Sequence, residues 1–282
     1  MGLHSKAQKK ALEKLKESKR DDEFHENYPG YVKNPEDNLI EGVNLCDIRE
    51  YYETGKGSEL VASGNRPPKF CAAHSSSALA ANCFGPFVAH YGLKELSLLD
   101  YSSFKRVELE AKCPTGLRGT PPHLDFLAET EDTVIGVESK FLEHTLRKKP
   151  KFADSYETII RNTQDPSLKS AYKCLRAKSE SLNLDAAQLV KHSLGLLKKA
   201  EEACKNAVLL YLFWEPDNDS DFDELQRHAK ELELFKEMVA GSKVVFESRS
   251  YRELWDDWKS QAKTDRTRLH VKRLISRYAF PV

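Results

Sequence analysis

Asp125, Glu138 and Lys140 are the residues of this 282-residue chain whose types and spacing best suit hydrolytic chemistry. They stand in Gly119-Thr-Pro-Pro-His-Leu-Asp125 and Gly136-Val-Glu138-Ser-Lys140. If these stretches are strands joined by a tight turn at Glu131-Asp132, antiparallel pairing sets Asp125 directly opposite Glu138. Opposed Cβ atoms lie about 5 Å apart, where like charges repel. Lys140, two residues past Glu138, points to the same face. Such a patch costs stability unless a cation sits between the carboxylates. Mg²⁺ is the expected ion, with Mn²⁺ as a substitute, because a hard cation prefers oxygen ligands and keeps several waters. The Ser139 carbonyl is a candidate further ligand. The ion would polarise a phosphate oxygen and lower the pKa of a bound water. Lys140 would orient that water and stabilise developing charge. Glu and Lys two apart also suit a solvated strand, and a one-residue slip would separate the groups. The spacing alone therefore leaves both readings open.

The elements that must position these residues are legible from periodicity. Residues 2–20 read as a polar amphipathic helix with Leu3, Ala7, Ala11, Leu12 and Leu15 at helical spacing, too sparsely apolar to fold alone. A short helix is expected over 44–52, with loops marked by Gly55, Gly57, Gly64, Pro67 and Pro68. Ser75, Ser76 and Ser77 can cap a buried helix running to Val88, which Gly85 and Pro86 would end or kink. Strands are predicted over Arg106–Lys112, Pro122–Ala128 and Thr133–Leu142, with a turn at Glu129–Asp132. Helices over 152–161, 167–181 and 185–205 follow, the last capped by Asp185. Ala207–Trp214 reads as a strand buried on both faces, and a charged helix over 223–240 leads to a strand at 243–247 and a helix at 251–261. The order is that of a layered α/β domain.

Composition narrows the function. Basic and acidic residues balance at 44 each, which disfavours a protein that merely coats nucleic acid but leaves a locally positive cleft open. No apolar run approaches the roughly 18–20 residues of a membrane helix, and the first residues are too charged for a secretory signal. The cytoplasm is the expected location, with no membrane partner. Cys46, Cys71, Cys83, Cys113, Cys174 and Cys204 include no C-x-x-C pair, so reduced, mostly buried thiols are expected rather than zinc or a disulfide framework. Phosphate-loop, nucleophile-elbow and H-E-x-x-H motifs do not occur.

The strand–turn–strand leading into Asp125 and into Glu138-Ser139-Lys140 resembles the signature of PD-(D/E)XK nucleases. Lys69-Phe70, His74-Ser-Ser-Ser77-Ala-Leu-Ala80, Asn82, Phe84-Gly-Pro86 and Gly119-Thr-Pro-Pro122 are similar to a restriction-endonuclease-like bacterial branch of that superfamily. The resemblance covers about half of the chain. It implies a restriction-endonuclease-like αβββαβ core, a central mixed sheet flanked by helices. Residues 69–250 would form that core, 1–68 an N-terminal helix and irregular segment packed on it, and 251–282 a basic helical tail.

The resemblance also implies Mg²⁺-dependent hydrolysis of DNA, in restriction or another defence role, with Asp125, Glu138 and Lys140 catalytic. RNA is left open as a substrate, and a homodimer or a defence-system partner protein is expected. A catalytically silent nuclease-fold subunit is the alternative. Family members often carry a further acidic ligand near the first core helix. No carboxylate stands there before Glu95, which departs from the pattern and leaves Glu59 as the candidate. Gln188-Leu-Val-Lys-His192 is similar to the Q-x-x-x-Y motif of RecB-like nucleases with histidine replacing tyrosine, which makes Gln188 a candidate site residue. A polar stripe on a half-exposed helix explains it equally well. His123 reads as a structural histidine on the face of Asp125. Arg147, Lys148, Lys149 and Lys151 form either a solvated turn or a phosphate contact. Arg266, Arg268, Lys272, Arg273 and Arg277 make the last segment basic, and Leu269, Leu274, Ile275 and Tyr278 suggest that part of it docks as a helix.

Overall fold

Three consecutive strands, β1 (Arg106–Lys112), β2 (His123–Glu129) and β3 (Thr133–Lys140), form an antiparallel meander. β3 then pairs in parallel with β4 (Asn206–Phe213), and β4 with β5 (Val244–Ser250), giving sheet order β1-β2-β3-β4-β5. This computed structural model describes residues 2–54, 59–89, 93–119 and 121–282; Gly55, Gly57 and Thr120 lie outside the described residues.

Helices cover both faces: α1 (Leu3–Lys16), α2 (Leu45–Thr54) and α3 (Ser76–Ala89) precede the sheet. Helices α4 (Tyr156–Asn162), α5 (Pro166–Ala177) and α6 (Ala186–Glu202) connect β3 to β4. α7 (Asp223–Met238) lies between β4 and β5, and α8 (Tyr251–Gln261) and α9 (Asp265–Tyr278) follow. The fold is thus α/β, a mixed sheet flanked by helices, consistent with a restriction-endonuclease-like core. None of the helices among the described residues is long and apolar enough to cross a membrane.

Side-chain alternation sends each strand into two cores. Phe126, Ile135, Val137, Leu210 and Leu212 pack with α3, α8 and α9, where Phe84 stacks on Phe126 at 4.2 Å. Leu127, Val134, Leu209 and Tyr211 pack with α5, α6 and α7. Each such side chain contributes about 1.5–3 kcal/mol by leaving water. β3 is buried along nearly its whole length, so its register is held from both sides.

The alternation breaks at one place. Leu109 and Ala111, two apart on β1, enter opposite cores, and so do their partners Phe126 and Leu124 on β2. Between them Glu110 takes a left-handed backbone (φ 50°), a conformation disfavoured for non-glycine residues. The even alternation expected over Arg106–Lys112 is therefore corrected: the strand reverses faces at Glu110, beside Asp125.

Several other expectations change. Pro86 lies within α3 instead of ending it; Gly85 lets the helix close on Val43 and Ile48. The cysteines divide evenly, Cys71, Cys83 and Cys113 buried and Cys46, Cys174 and Cys204 exposed. α9 docks through Val271, Leu274 and Tyr278, whereas Leu269 is exposed. Its charges serve the fold: Arg277 is buried and donates to the carbonyls of Ala11 and Ala73, and Arg273 pairs with Glu41. α1 packs on the body through Leu3, Ala7, Ala11 and Leu15, as its sparse stripe requires. Asn82 joins the segments by accepting from Ile40 N and donating to Asn38 O and Tyr278 Oη.

Three buried histidines give the fold a pH limit. Burial pushes His144 and His270 down from 6.5 to about 4, and burial and then His144 push His228 well below its ordinary value. His144 and His228 lie ring against ring at 4.6 Å. A folded-state pKa below the unfolded one gives stability that is present above pH 6.5 and lost as pH falls toward 4. Between pH 7.5 and 5.0 each of His144 and His270 should remove about 2 kcal/mol. Urea midpoints at the two pH values measure this; equal midpoints would mean that neither ring is held neutral.

Candidate functional site

The β2–β3 turn decides what meets at the site. Thr130 N donates to Thr133 O at 2.9 Å, so Glu131 and Asp132 form the turn. The ladder reads Ala128–Ile135, Leu127–Gly136 and Phe126–Val137 and ends there; continued by one step, the same register sets Asp125 opposite Glu138. There Asp125 Oδ2 accepts the Ser139 N–H at 2.7 Å. On the other side of β2, Glu110 and Asp125 fall between the register pairs Leu109–Phe126 and Ala111–Leu124, which sets them beside one another. Three adjacent strands thus carry a row of carboxylates, Glu110, Asp125 and Glu138.

Glu138 is 2% exposed. One of its oxygens accepts a short hydrogen bond from Lys140, and the other lies 3.0 Å from His192 Nδ1 on α6. Burial raises the Glu138 pKa, but the Lys140 charge and His192 outweigh it and hold the carboxyl down at about 2. Asp125 goes the opposite way. Burial, then the charges of Glu138 and Glu110, raise it well above the usual range against Lys140 and the Ser139 N–H. Burial would discharge Lys140, but Glu138, Glu143 and Asp125 keep its ammonium charged far into the alkaline range.

These groups line a cleft of about 660 Å³ between the meander, the start of α3 and the first turns of α6. Glu59 and Gln188 line it too, so the structure brings every proposed site residue to one place. Each arrives for a local reason. Ser75 Oγ accepts from Ala78 N and starts α3, which leaves Ser76 and Ser77 facing the cleft. Asp185 Oδ1 accepts from Gln188 N and starts α6, aiming Gln188, Lys191 and His192 inward. Glu59 pairs with Lys69 at 3.5 Å; burial and the Glu110 charge raise its pKa against Lys69 and a Ser77 hydrogen bond. Ser139 takes part through its N–H, while its hydroxyl bonds Tyr251 Oη at 2.7 Å in the opposite core.

Sequence reasoning missed Glu110 and Glu143. Glu110 alternates with Leu109 and could have been found as the cross-strand partner of Asp125. Glu143 accepts from the N–H groups of Phe141 and Leu142 and shares Lys140 with Glu138; no spacing rule marks it. His123 lies 3.8 Å from Glu110 and lines the cleft. Of the basic run, Lys148 lines the cleft, whereas Arg147 donates to the Ser181 carbonyl.

Glu59, Glu110, Asp125 and Glu138 line the cleft with carboxylates, the ligand type a hard divalent cation prefers. No group of three or more His, Cys, Asp or Glu among the described residues could hold a metal ion by itself. An ion here would complete its shell with water and substrate oxygens, as Mg²⁺ commonly does. A second hollow of about 710 Å³, between α1, α9 and residues 39–44, offers no comparable chemistry: Lys14 pairs with Glu17, Arg273 with Glu41, and Arg277 with carbonyls.

Comparison with known families agrees with the fold. The family model described as Restriction Endonuclease associating with ARP matches residues 5–279. The chain therefore belongs to that restriction-endonuclease family. No curated protein and no solved structure matches it.

Proposed function

We propose that this member of a restriction-endonuclease family is a Mg²⁺-dependent nuclease of the PD-(D/E)XK type that hydrolyses phosphodiester bonds of DNA. The observation that carries the reading is the meeting of Asp125, Glu138 and Lys140 in one cleft, where the two carboxylates stand opposite one another and one is left poorly neutralised. That arrangement disfavours the fold by itself and is understandable where charge must be held for chemistry.

Asp125 and Glu138 would hold the ion, with Glu110 or Glu59 reaching it through water. When bound, Mg²⁺ supplies Lewis acidity and a water of lowered pKa. The chain's own residues do the rest. Lys140 stays protonated at working pH, so it cannot act as a base; it places positive charge where the phosphorane's oxygens gain electrons. His192 orients Glu138 from α6, and Glu143 steadies Lys140 from beyond β3. Gln188 and Lys191 reach the cleft one turn apart, placed to contact the substrate backbone.

The family description supports a restriction role and an ARP partner. Association favours a second reading, an assembly subunit without activity. Full-length protein incubated with plasmid, linear duplex, single-stranded DNA and RNA, each with Mg²⁺, Mn²⁺ or EDTA, separates the two. Cutting of duplex DNA that needs the metal and stops in EDTA is expected. No cutting of any substrate would move the assignment to the assembly subunit, and cutting that persists in EDTA would reject the metal mechanism.

A further inference from the structure

Between the site strand and α6 the chain inserts α4 and α5, and charge there is far from balanced. Residues 147–178 hold nine basic and three acidic residues in a chain whose net charge is zero. The three acids are all occupied. Asp165 caps α5 through Leu168 N and accepts from Ser242 and Lys243 N. Asp154 and Glu157 both pair with Arg176, at 2.9 and 3.2 Å. Among the described residues Arg161, Lys169 and Lys173 have no such partner.

Those three cations line a groove of about 590 Å³ on the outer face of α4 and α5, floored by Ile160 and Tyr172. The groove and the cleft share α4. Tyr156 of α4 lines the cleft, and Glu157, Ile160 and Arg161 of the same helix line the groove. Five residues of helix separate Tyr156 from Arg161, roughly 8 Å. Phe152 ties the two together, with Tyr156 at 6.1 Å, Tyr172 at 4.7 Å and the Lys191 ammonium 5.3 Å from its ring centre.

We propose that the α4–α5 face is a docking surface for the phosphate backbone of duplex DNA, seating the duplex a few base pairs away from the bond held in the cleft. This rests on the nuclease reading for its substrate. Duplex DNA carries a phosphate every 3.4 Å along each strand, roughly, so three unpaired cations on a helix pair bordering the cleft match it in charge. The contact is with phosphates, so it adds affinity without reading sequence.

The test measures binding rather than cutting. Arg161→Glu, Lys169→Glu and Lys173→Glu are combined in the full chain. A second triple variant, Lys259→Glu, Lys263→Glu and Lys272→Glu, controls for net charge, and circular dichroism checks that both fold. Anisotropy of a labelled duplex is followed in EDTA from about 50 to 200 mM salt. The first variant should lose at least about tenfold in affinity, and its slope of log affinity against log salt should flatten by roughly 3, at about 0.9 per phosphate contact. The control should lose clearly less. Equal losses in both variants, an unchanged slope in the first, or no binding by the wild type would overturn the docking surface. Binding that depends on this face without any cutting would keep the surface and remove the nuclease reading. Cutting that is indifferent to it would do the reverse.

Discussion

Asp125→Asn is expected to abolish cleavage while making the protein more stable. Burial, and then the charges of Glu138 and Glu110, work against ionisation of the Asp125 carboxyl and raise its pKa well above the ordinary value. A pKa raised in the folded state means that ionisation costs stability above the unfolded value of 3.8, and the cost fades as pH falls. Asparagine keeps an oxygen for the Ser139 N–H and removes the charge. A gain of about 1–2 kcal/mol should follow, or a Tm rise of a few degrees. Cleavage should fall by at least about 10²-fold, the usual effect of removing one electrostatic contact to the reacting group.

Lys140→Ala makes the opposite comparison. It leaves Glu138, 2% exposed, with His192 as its remaining close partner, which should cost about 3 kcal/mol. Both variants should be inactive, one more stable than the wild type and one less, so unfolding cannot explain the shared loss. An active Asp125→Asn protein, or a destabilised one, would remove Asp125 from the site.

Gly195→Ala should damage the fold most among glycine-to-alanine changes on the helices. A Cβ at Gly195 would stand 2.2 Å from the Cys113 carbonyl oxygen, far inside contact distance, and the obstacle is backbone rather than a side chain that can swing away. Alanine gains about 1 kcal/mol in helix propensity. Overpacking of this kind costs about 3 kcal/mol or more, so the clash wins. With a net cost of about 2 kcal/mol, a Tm drop of about 4–8 °C is expected, with Gly2→Ala, which has open space around it, unchanged. One helical turn before Gly195, His192 touches Glu138, so any retreat of α6 should also weaken cleavage. A normal melting temperature would show that α6 can move outward without loss.

How much of this was readable in advance depends on what each feature rests on. The β2–β3 pairing was legible because apolar residues flank a polar two-residue turn, and turn length fixes register. The cap at Asp185 and the helix start at Ser75 were legible because side-chain oxygens there satisfy free N–H groups. The reversal at Glu110 was not, since Arg106–Lys112 alternates perfectly well as a flat strand and the left-handed residue is not a glycine. Nor was the contact between His192 and Glu138, which depends on how closely α6 approaches the sheet at Gly195. The C-terminal stretch was legible as basic and partly docked, yet not which of its charges is bound inside, as Arg277 is, because composition does not say which face of a helix is covered.

β3 is paired antiparallel on one side and parallel on the other, so its two neighbours pin it by different hydrogen-bond patterns. Pro121 and Pro122 on one side and Glu143 and Lys148 on the other border the cleft from segments that lie outside these ladders. Insertions or deletions there can reshape what enters the cleft without shifting Asp125 against Glu138. The scaffold therefore separates heritable change in substrate preference from change in catalytic geometry, and descendants of such a chain could diverge in the first while inheriting the second intact.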